Sequence, residues 1–307
     1  MPSTMLDELQ HTVEQVATAA GPSVVRIGRG GGRGAGVVIG AGRVLTNGHN
    51  LRDSEVTVTF ADGRSVTAEV AGVDVEGDLA VLRVDTADAP AIAWSPAEVS
   101  LGIGSPIFAL ANPAGRGLKV TFGLVSAVAQ AFRGPRGRRI TGSVEHTAPL
   151  NRGSSGGPIV DAAGSLVGLN TNRVGEGFYL AIPADAELAS RVEALAKGES
   201  PNRARLGVAL APAHAARRLR AAVGLPERDG LLVRSVQEGS PAANAGLHQG
   251  DLIAAVGGQP LTSHDQLFEA LDTAAAAGSL ELAIVRGVEE LTVPVRFAAA
   301  DGATTEG

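Results

Sequence analysis

The 307-residue sequence contains no cysteine. Disulfide staples, thiolate nucleophiles and cysteine-ligated metals are therefore outside its chemistry. Excess positive charge is also lacking: 26 Lys and Arg face 32 Asp and Glu, a net charge of −6. A nucleic-acid partner, whose backbone demands clustered cations, is not expected. No window approaches the roughly 20 apolar residues of a membrane-spanning helix. The six histidines (His11, His49, His146, His214, His248, His264) are scattered, without an HExxH or H-x-H cluster. No metal site and no cofactor is expected. The N-terminus lacks the basic-then-apolar order of a signal peptide: Asp7 and Glu8 come first, and Glu14 interrupts the apolar run. The expected compartment is the cytoplasm, or the cell envelope or periplasm if the native N-terminus is longer.

Apolar residues are abundant, at 44% against 19% charged. A packed core is expected, and the length suits two ordinary domains. Residues 1–20 carry one helix, with Leu9, Val13, Val16 and Ala20 at helical spacing before "GP". From 21 to 183 the chain breaks into short β-like runs, among them "SVVRIG", "AGVVIG", "RVLTN", "EVTVTF" and "LAVLRV", split by Gly, Pro and Asp-Gly turns. Many short strands with regular turn signals indicate a barrel or sandwich. Residues 184–202 read as a helix and a polar linker. Residues 203–299 mix strands and helices, and 300–307 read as a tail.

"NRGSSGGP" (151–158) places two serines among glycines. Read as Gly153-x-Ser155-x-Gly157 it fits a nucleophile elbow, in which a sharp turn exposes the hydroxyl and frees backbone N–H groups for a developing oxyanion. A serine nucleophile needs a base, and the base needs an orienting carboxylate. His49, at the exit of an apolar strand in "RVLTNGHNL", is early enough to serve a His, Asp, Ser order. "GVDVEGDLAVLRV" offers Asp74, Glu76 and Asp78 as the acid, and Asp78 stands directly before a strand. The order Ser, acid, His of an α/β-hydrolase would require a histidine from the second domain, and the strand–helix rhythm of that fold is missing. The glycine run "GRGGGRGAG" (28–36) leads into a strand and lacks Lys-Ser/Thr, so it reads as a hairpin and not a phosphate loop. "RGPRGRR" (133–139) reads as a basic surface loop and His146 as a loop residue.

In order, "VLTNGHNL", "DGRSVTAEVAGVDVEGDLAVLRV", "ANPAG", "VTFGLVSAV", "NRGSSGGPIVDAAGSLVGLNT" and "YLAIP" resemble the HtrA (Deg) family of serine proteases. The resemblance implies a mostly β fold: a chymotrypsin-like double β-barrel followed by an α+β PDZ domain. It implies a triad of His49, Asp78 and Ser155, with an oxyanion hole from the N–H groups of Gly153 and Ser155 and a switchable Arg152–Gly153 peptide. Pro149, Leu169, Asn170 and Thr171 are expected to line the S1 pocket; "HTAPLN" lacks an acid there, so a small aliphatic P1 is expected. "SPAANAGL" followed by "GDLI" resembles a PDZ domain. Its carboxylate-binding loop would be Arg205, Leu206, Gly207 and Val208, with Leu267 and Leu271 along the groove. The function implied is an ATP-independent endopeptidase of protein quality control, acting on unfolded or misfolded proteins and engaging C-terminal peptides. The family implies a homotrimer and no membrane span. The competing readings are a catalytically idle, PDZ-bearing chaperone and an esterase using the same serine.

Overall fold

The computed structural model describes residues 4–29, 33–51, 55–113, 117–134, 139–199 and 204–297. The chain divides into two compact units, residues 1–200 and 201–307.

The first unit opens with helix α1 (Met5–Ala20), capped by Thr4 through a reciprocal pair with Asp7. Six strands then close a first barrel: β1 (Val24–Ile27), β2 (Gly34–Gly40), β3 (Arg43–Thr46), β4 (Glu55–Thr59), β5 (Ser65–Asp74) and β6 (Leu79–Arg83). Six more close a second: β7 (Pro106–Ala111), β8 (Lys119–Arg133), β9 (Arg139–His146), β10 (Pro158–Val160), β11 (Leu166–Val174) and β12 (Phe178–Pro183). The neighbour orders are β1-β2-β3-β6-β5-β4 and β7-β8-β9-β12-β11-β10. The two barrels thus repeat one topology, although no sequence repeat announces it.

Adjacent apolar residues serve different cores, because successive strand side chains point to opposite faces. Val25, Val38, Val44 and Leu82 fill the first barrel. Their neighbours Val24, Val37, Leu45 and Val81 face outward into a layer shared with Phe108, Leu110 and Val160 of the second barrel. Ile107, Ala109 and Ile159 turn the other way, into the second barrel's interior. Burial on both faces explains why these strands read as continuous apolar runs and not as alternating ones.

Helix α2 (Ala186–Ala196), capped by Asp185, lays Leu188, Val192 and Leu195 onto the same layer. Val16 and Ala20 of α1 join it. The two helices that the sequence pattern sets apart from the barrels are therefore part of the first unit's core. Each fully buried Leu or Val stabilises by roughly 2 kcal/mol.

The second unit holds strands β13 (Val208–Ala211), β14 (Leu231–Val236), β15 (Leu252–Val256), β16 (Gln259–Pro260), β17 (Ser279–Arg286) and β18 (Glu289–Arg296). Helices α3 (Ala213–Ala222), α4 (Pro241–Asn244) and α5 (His264–Ala277) accompany them. The sheet order β13-β14-β15-β17-β18 leaves β13 at an edge. The centres of the 28–36 glycine run and the 133–139 basic stretch, the 200–203 linker and the 298–307 tail lie outside the described residues.

Candidate active site

The chain brings His49, Asp78 and Ser155 to one cleft. His49 sits in a 3-10 turn directly after β3 (Gly48–Asn50). Asp78 ends the turn between β5 and β6, and Ser155 lies in the turn that enters β10. The first barrel therefore supplies the imidazole and the carboxylate, and the second supplies the hydroxyl. The cleft, about 570 Å³, is lined by all three, with Gly153, Asn170 and Thr171 beside them.

Asp78 is 1% exposed, and its four hydrogen bonds replace the water it has lost. His49 Nδ1 lies 2.9 Å from both carboxylate oxygens, and the His49 N–H donates to Oδ1 at 3.0 Å. The Thr171 hydroxyl donates to Oδ2 at 2.6 Å. Asn47 Nδ2 donates to the Asp78 carbonyl at 2.9 Å. Asp78 itself has φ +55°, a left-handed conformation that a non-glycine residue holds only when its surroundings fix it. A carboxylate only accepts, so Nδ1 carries a proton, and in the neutral ring the lone pair is then on Nε2.

That strained turn is braced from α2. Arg191 donates to Asp74 Oδ2 at 3.0 Å and to the Gly77 carbonyl at 3.2 Å. Asp74, 3% exposed, also accepts the Gly77 N–H at 2.8 Å. A Cβ on Gly77 would lie 2.0 Å from the Arg191 guanidinium. Of the three candidate acids, Asp74 is thus committed to Arg191, and Asp78 alone is held against His49.

Ser155 is half-buried, whereas its neighbour Ser154 is 3% exposed. The Ser154 N–H closes a turn onto the Asn151 carbonyl at 3.2 Å. Gly153 has φ +86°. The peptide after Ser155 is pinned at both ends. Its carbonyl accepts from the Ala35 N–H at 2.8 Å and from Asn50 Nδ2 at 2.9 Å, both from the first barrel. The Gly156 N–H donates to the Asn170 carbonyl at 2.7 Å in the second. Gly156 has φ +85°, and a Cβ there would stand 2.2 Å from the Ala35 carbonyl oxygen, so only glycine fits. The Ser155 hydroxyl donates to the Thr171 carbonyl at 3.0 Å. Thr171 thus touches the acid with its side chain and the serine with its main chain. Sequence reasoning placed it only as a pocket wall, and missed Asn50 and Arg191.

His146 is not a loop residue. It ends β9, is fully buried, and lies 2.9 Å through Nε2 from Asn170 Oδ1, with its ring stacked on Tyr179 at 5.8 Å. Asn170 Nδ2 donates to the Gly157 carbonyl at 3.1 Å, so its Oδ1 is the acceptor for His146 Nε2–H. Burial pulls the His146 pKa down from 6.5 to about 4; the Asn170 bond and the charge of Glu145 offset part of this.

Two of the expected pocket residues lie elsewhere. Leu169 is fully buried in the layer between the barrels, because it falls on the opposite face of β11. Pro149 is exposed and lies outside the cleft lining. Asn170 and Thr171 do line it, where the β11–β12 register shifts between Asn170 and Asn172. In the second unit, Leu206, Leu267 and Leu271 are 3%, 3% and 4% exposed and fill the core, since i, i+4 spacing on α5 turns both helix leucines inward. Arg205 is exposed, while Gly207 and Val208 are half-buried. The Leu206 and Gly207 carbonyls accept from the Ala242 and Gln237 N–H groups at 2.9 and 2.8 Å.

Residues 34–169 match the trypsin-like peptidase domain family, and residues 232–286 match the PDZ domain family. A putative serine protease HhoA of Synechocystis is 33% identical, over 87% of this chain and 71% of that protein. The chain belongs to the HtrA family of serine proteases. A probable periplasmic DegP-like serine endoprotease of Halomonas elongata is 30% identical, over 85% of this chain. The chain spans 55% of that relative's length. Among solved structures, the HtrA-type protease AlgW with a decapeptide superimposes with a TM-score of 0.65 at 25% identity, covering 92% of this chain and 97% of that one. A serine endoprotease from Yersinia pestis gives 0.63 at 27%, covering 96% and 98%. The double-barrel and PDZ architecture implied by the sequence motifs is the one found.

Proposed function

We propose that the protein is an ATP-independent serine endopeptidase that cleaves unfolded or misfolded polypeptides through an acyl-enzyme. The observation that carries this reading is the His49–Asp78 pair of the first barrel facing the same cleft as Ser155 of the second. Ser155 Oγ attacks the scissile carbonyl carbon while His49 Nε2 takes its proton. Asp78 holds the tautomer and stabilises the imidazolium. The negative charge on the former carbonyl oxygen is met by the Gly153 and Ser155 N–H groups, each worth about 3 kcal/mol. Collapse of the tetrahedral adduct breaks the C–N bond, and His49 returns the proton to the leaving amine. Water, deprotonated by His49, then hydrolyses the ester and restores Ser155.

The Ser155 hydroxyl bond to the Thr171 carbonyl supports a resting state. Rotation about the Ser155 Cα–Cβ bond transfers the hydroxyl to His49, and the Arg152–Gly153 peptide is the second element to be set on activation. Phe132, Leu150 and Tyr179 give the cleft an apolar part that suits an aliphatic P1. In the second unit, the free edge of β13 beside the 205–208 loop supports addition of a substrate's C-terminal strand. The relatives named periplasmic support the cell envelope as the compartment, which fractionation of the producing cells checks. The family resemblance supports a trimer, which light scattering checks.

The test is digestion of unfolded casein, with and without peptides ending in a free carboxylate. Wild type is expected to digest it, faster with peptide, and Ser155→Ala to leave it intact. Digestion unchanged in Ser155→Ala rejects the reading. Casein held soluble but uncut by wild type supports the idle chaperone instead.

A further inference from the structure

The cleft around Ser155 is rimmed by arginine in a chain that is otherwise acidic. Arg133, Arg152 and Arg173 line it, whereas Asp78 is the single carboxylate among its lining residues. Asp78 is already covered by His49 and Thr171. The three arginines come from separate elements: the end of β8, the turn before Ser155, and β11. All three are exposed. The Arg173 Nε donates to the Gly175 carbonyl at 3.0 Å, and its guanidinium lies 5.9 Å from the Tyr179 ring centre, which hold it at the rim. Arg152 directly precedes Gly153. Among the described residues, neither Arg152 nor Arg173 is paired with a carboxylate. The acids closest in sequence are Glu176, exposed at the β11–β12 turn, and Glu145, which accepts from the Ser126 hydroxyl at 2.8 Å. Arg152 and Arg173 therefore bring positive charge to the rim of this cleft, against a chain total of −6.

We propose that this cleft selects extended polypeptide segments carrying Asp or Glu beside an aliphatic P1. The inference rests on the protease reading and names its substrate class. Arg152 stands next to the oxyanion donors, so it meets residues flanking the scissile bond. Arg173 stands two residues beyond Thr171 on the strand that borders Ser155, so it meets residues further from that bond. Guanidinium–carboxylate pairs at such exposed sites contribute about twofold to fivefold each in affinity, and salt screens them. They also raise the encounter rate with acidic chains.

The test uses three fluorescent peptides with the same aliphatic P1 and amidated C-termini, which removes end capture by the PDZ domain. Their flanks carry Asp/Glu, Ser/Ala or Lys. Binding to full-length Ser155→Ala is read by anisotropy, and turnover by wild type in parallel. The acidic peptide is expected to bind about fivefold more tightly than the neutral one at low salt, with the Lys peptide weakest. The spread is expected to fall below about twofold near 0.5 M NaCl. Adding Arg152→Glu and Arg173→Glu reverses the order. Equal affinities at low salt, or an order that survives double charge reversal, overturn the inference. If the acidic peptide leads in binding but wild type cleaves none of the three even when a separate peptide ending in a free carboxylate is supplied, the cleft preference stands and the protease reading falls.

Discussion

His146 gives the first unit a calculable sensitivity to acid. The imidazole is fully buried against Tyr179 and Asn170, and burial holds its pKa at about 4 instead of 6.5. The unfolded chain takes up a proton here near 6.5, and the folded chain only near 4. Between these values the unfolded state binds more protons, so stability present above 6.5 is lost as pH falls toward 4. With one pKa unit worth about 1.4 kcal/mol, the loss is about 2 kcal/mol at pH 5 and about 3 kcal/mol at pH 4. The single tryptophan, Trp94, lies in the first unit, its Nε1 donating to the Ala184 carbonyl at 2.6 Å. Its fluorescence in urea therefore reports that unit alone. His146→Gln is the control, because the amide keeps a donor for Asn170 and does not titrate. Going from pH 7 to pH 5, the wild-type midpoint should fall about 1 M further than that of His146→Gln. Parallel pH dependence in the two proteins refutes the assignment of the acid sensitivity to this imidazole.

Other outcomes follow from contacts around the triad. Arg191→Ala leaves Asp74 buried without its cation and should cost about 3 kcal/mol in Trp94-detected unfolding; adding Asp74→Asn should recover most of it. Thr171→Val removes a hydroxyl donated to a buried carboxylate and should lower kcat/KM about tenfold or more at unchanged fold, read by peptide hydrolysis and circular dichroism. Gly156→Ala combines φ +85° with a 2.2 Å approach to Ala35 and should abolish hydrolysis and lower the melting temperature. In the second unit, Arg286→Ala breaks a two-point contact with Asp251, at 2.8 Å on each oxygen, and should lower that unit's protection in hydrogen exchange.

The parts of the fold that local pattern can carry were legible in the sequence. The helical stripe Leu9, Val13, Val16, Ala20 and the runs that became β1 to β8 are set by nearest neighbours. His49 and Ser155 stand beside a strand end and a glycine turn that mark them as candidates, whereas Asp74, Glu76 and Asp78 share one stretch, and the choice of Asp78 drew on the family resemblance as well as on its position before a strand. Strand β9 was not legible: its apolar residues Ile140 and Val144 are diluted by Arg139, Thr141, Gly142, Ser143 and Glu145, and its pairing with β8 carries three register shifts. For the same reason His146 read as a loop residue. Asn50 and Arg191 act across 105 and 117 residues of chain, and no local spacing encodes contacts at that range. Leu169 was misplaced because the face that a β11 residue presents depends on a bulge one step further on. Leu267 and Leu271 have the spacing that a groove and a core share, and only packing separates the two.

The central claim is that Ser155 is a nucleophile activated by the His49–Asp78 pair. Intact-mass analysis after treatment with a fluorophosphonate tests it most directly, in wild type, Ser154→Ala, Ser155→Ala and His49→Ala. One adduct is expected on wild type and on Ser154→Ala, none on Ser155→Ala, and strongly slowed labelling on His49→Ala. An adduct that persists in Ser155→Ala, or wild type left unmodified even with activating C-terminal peptides, would contradict it.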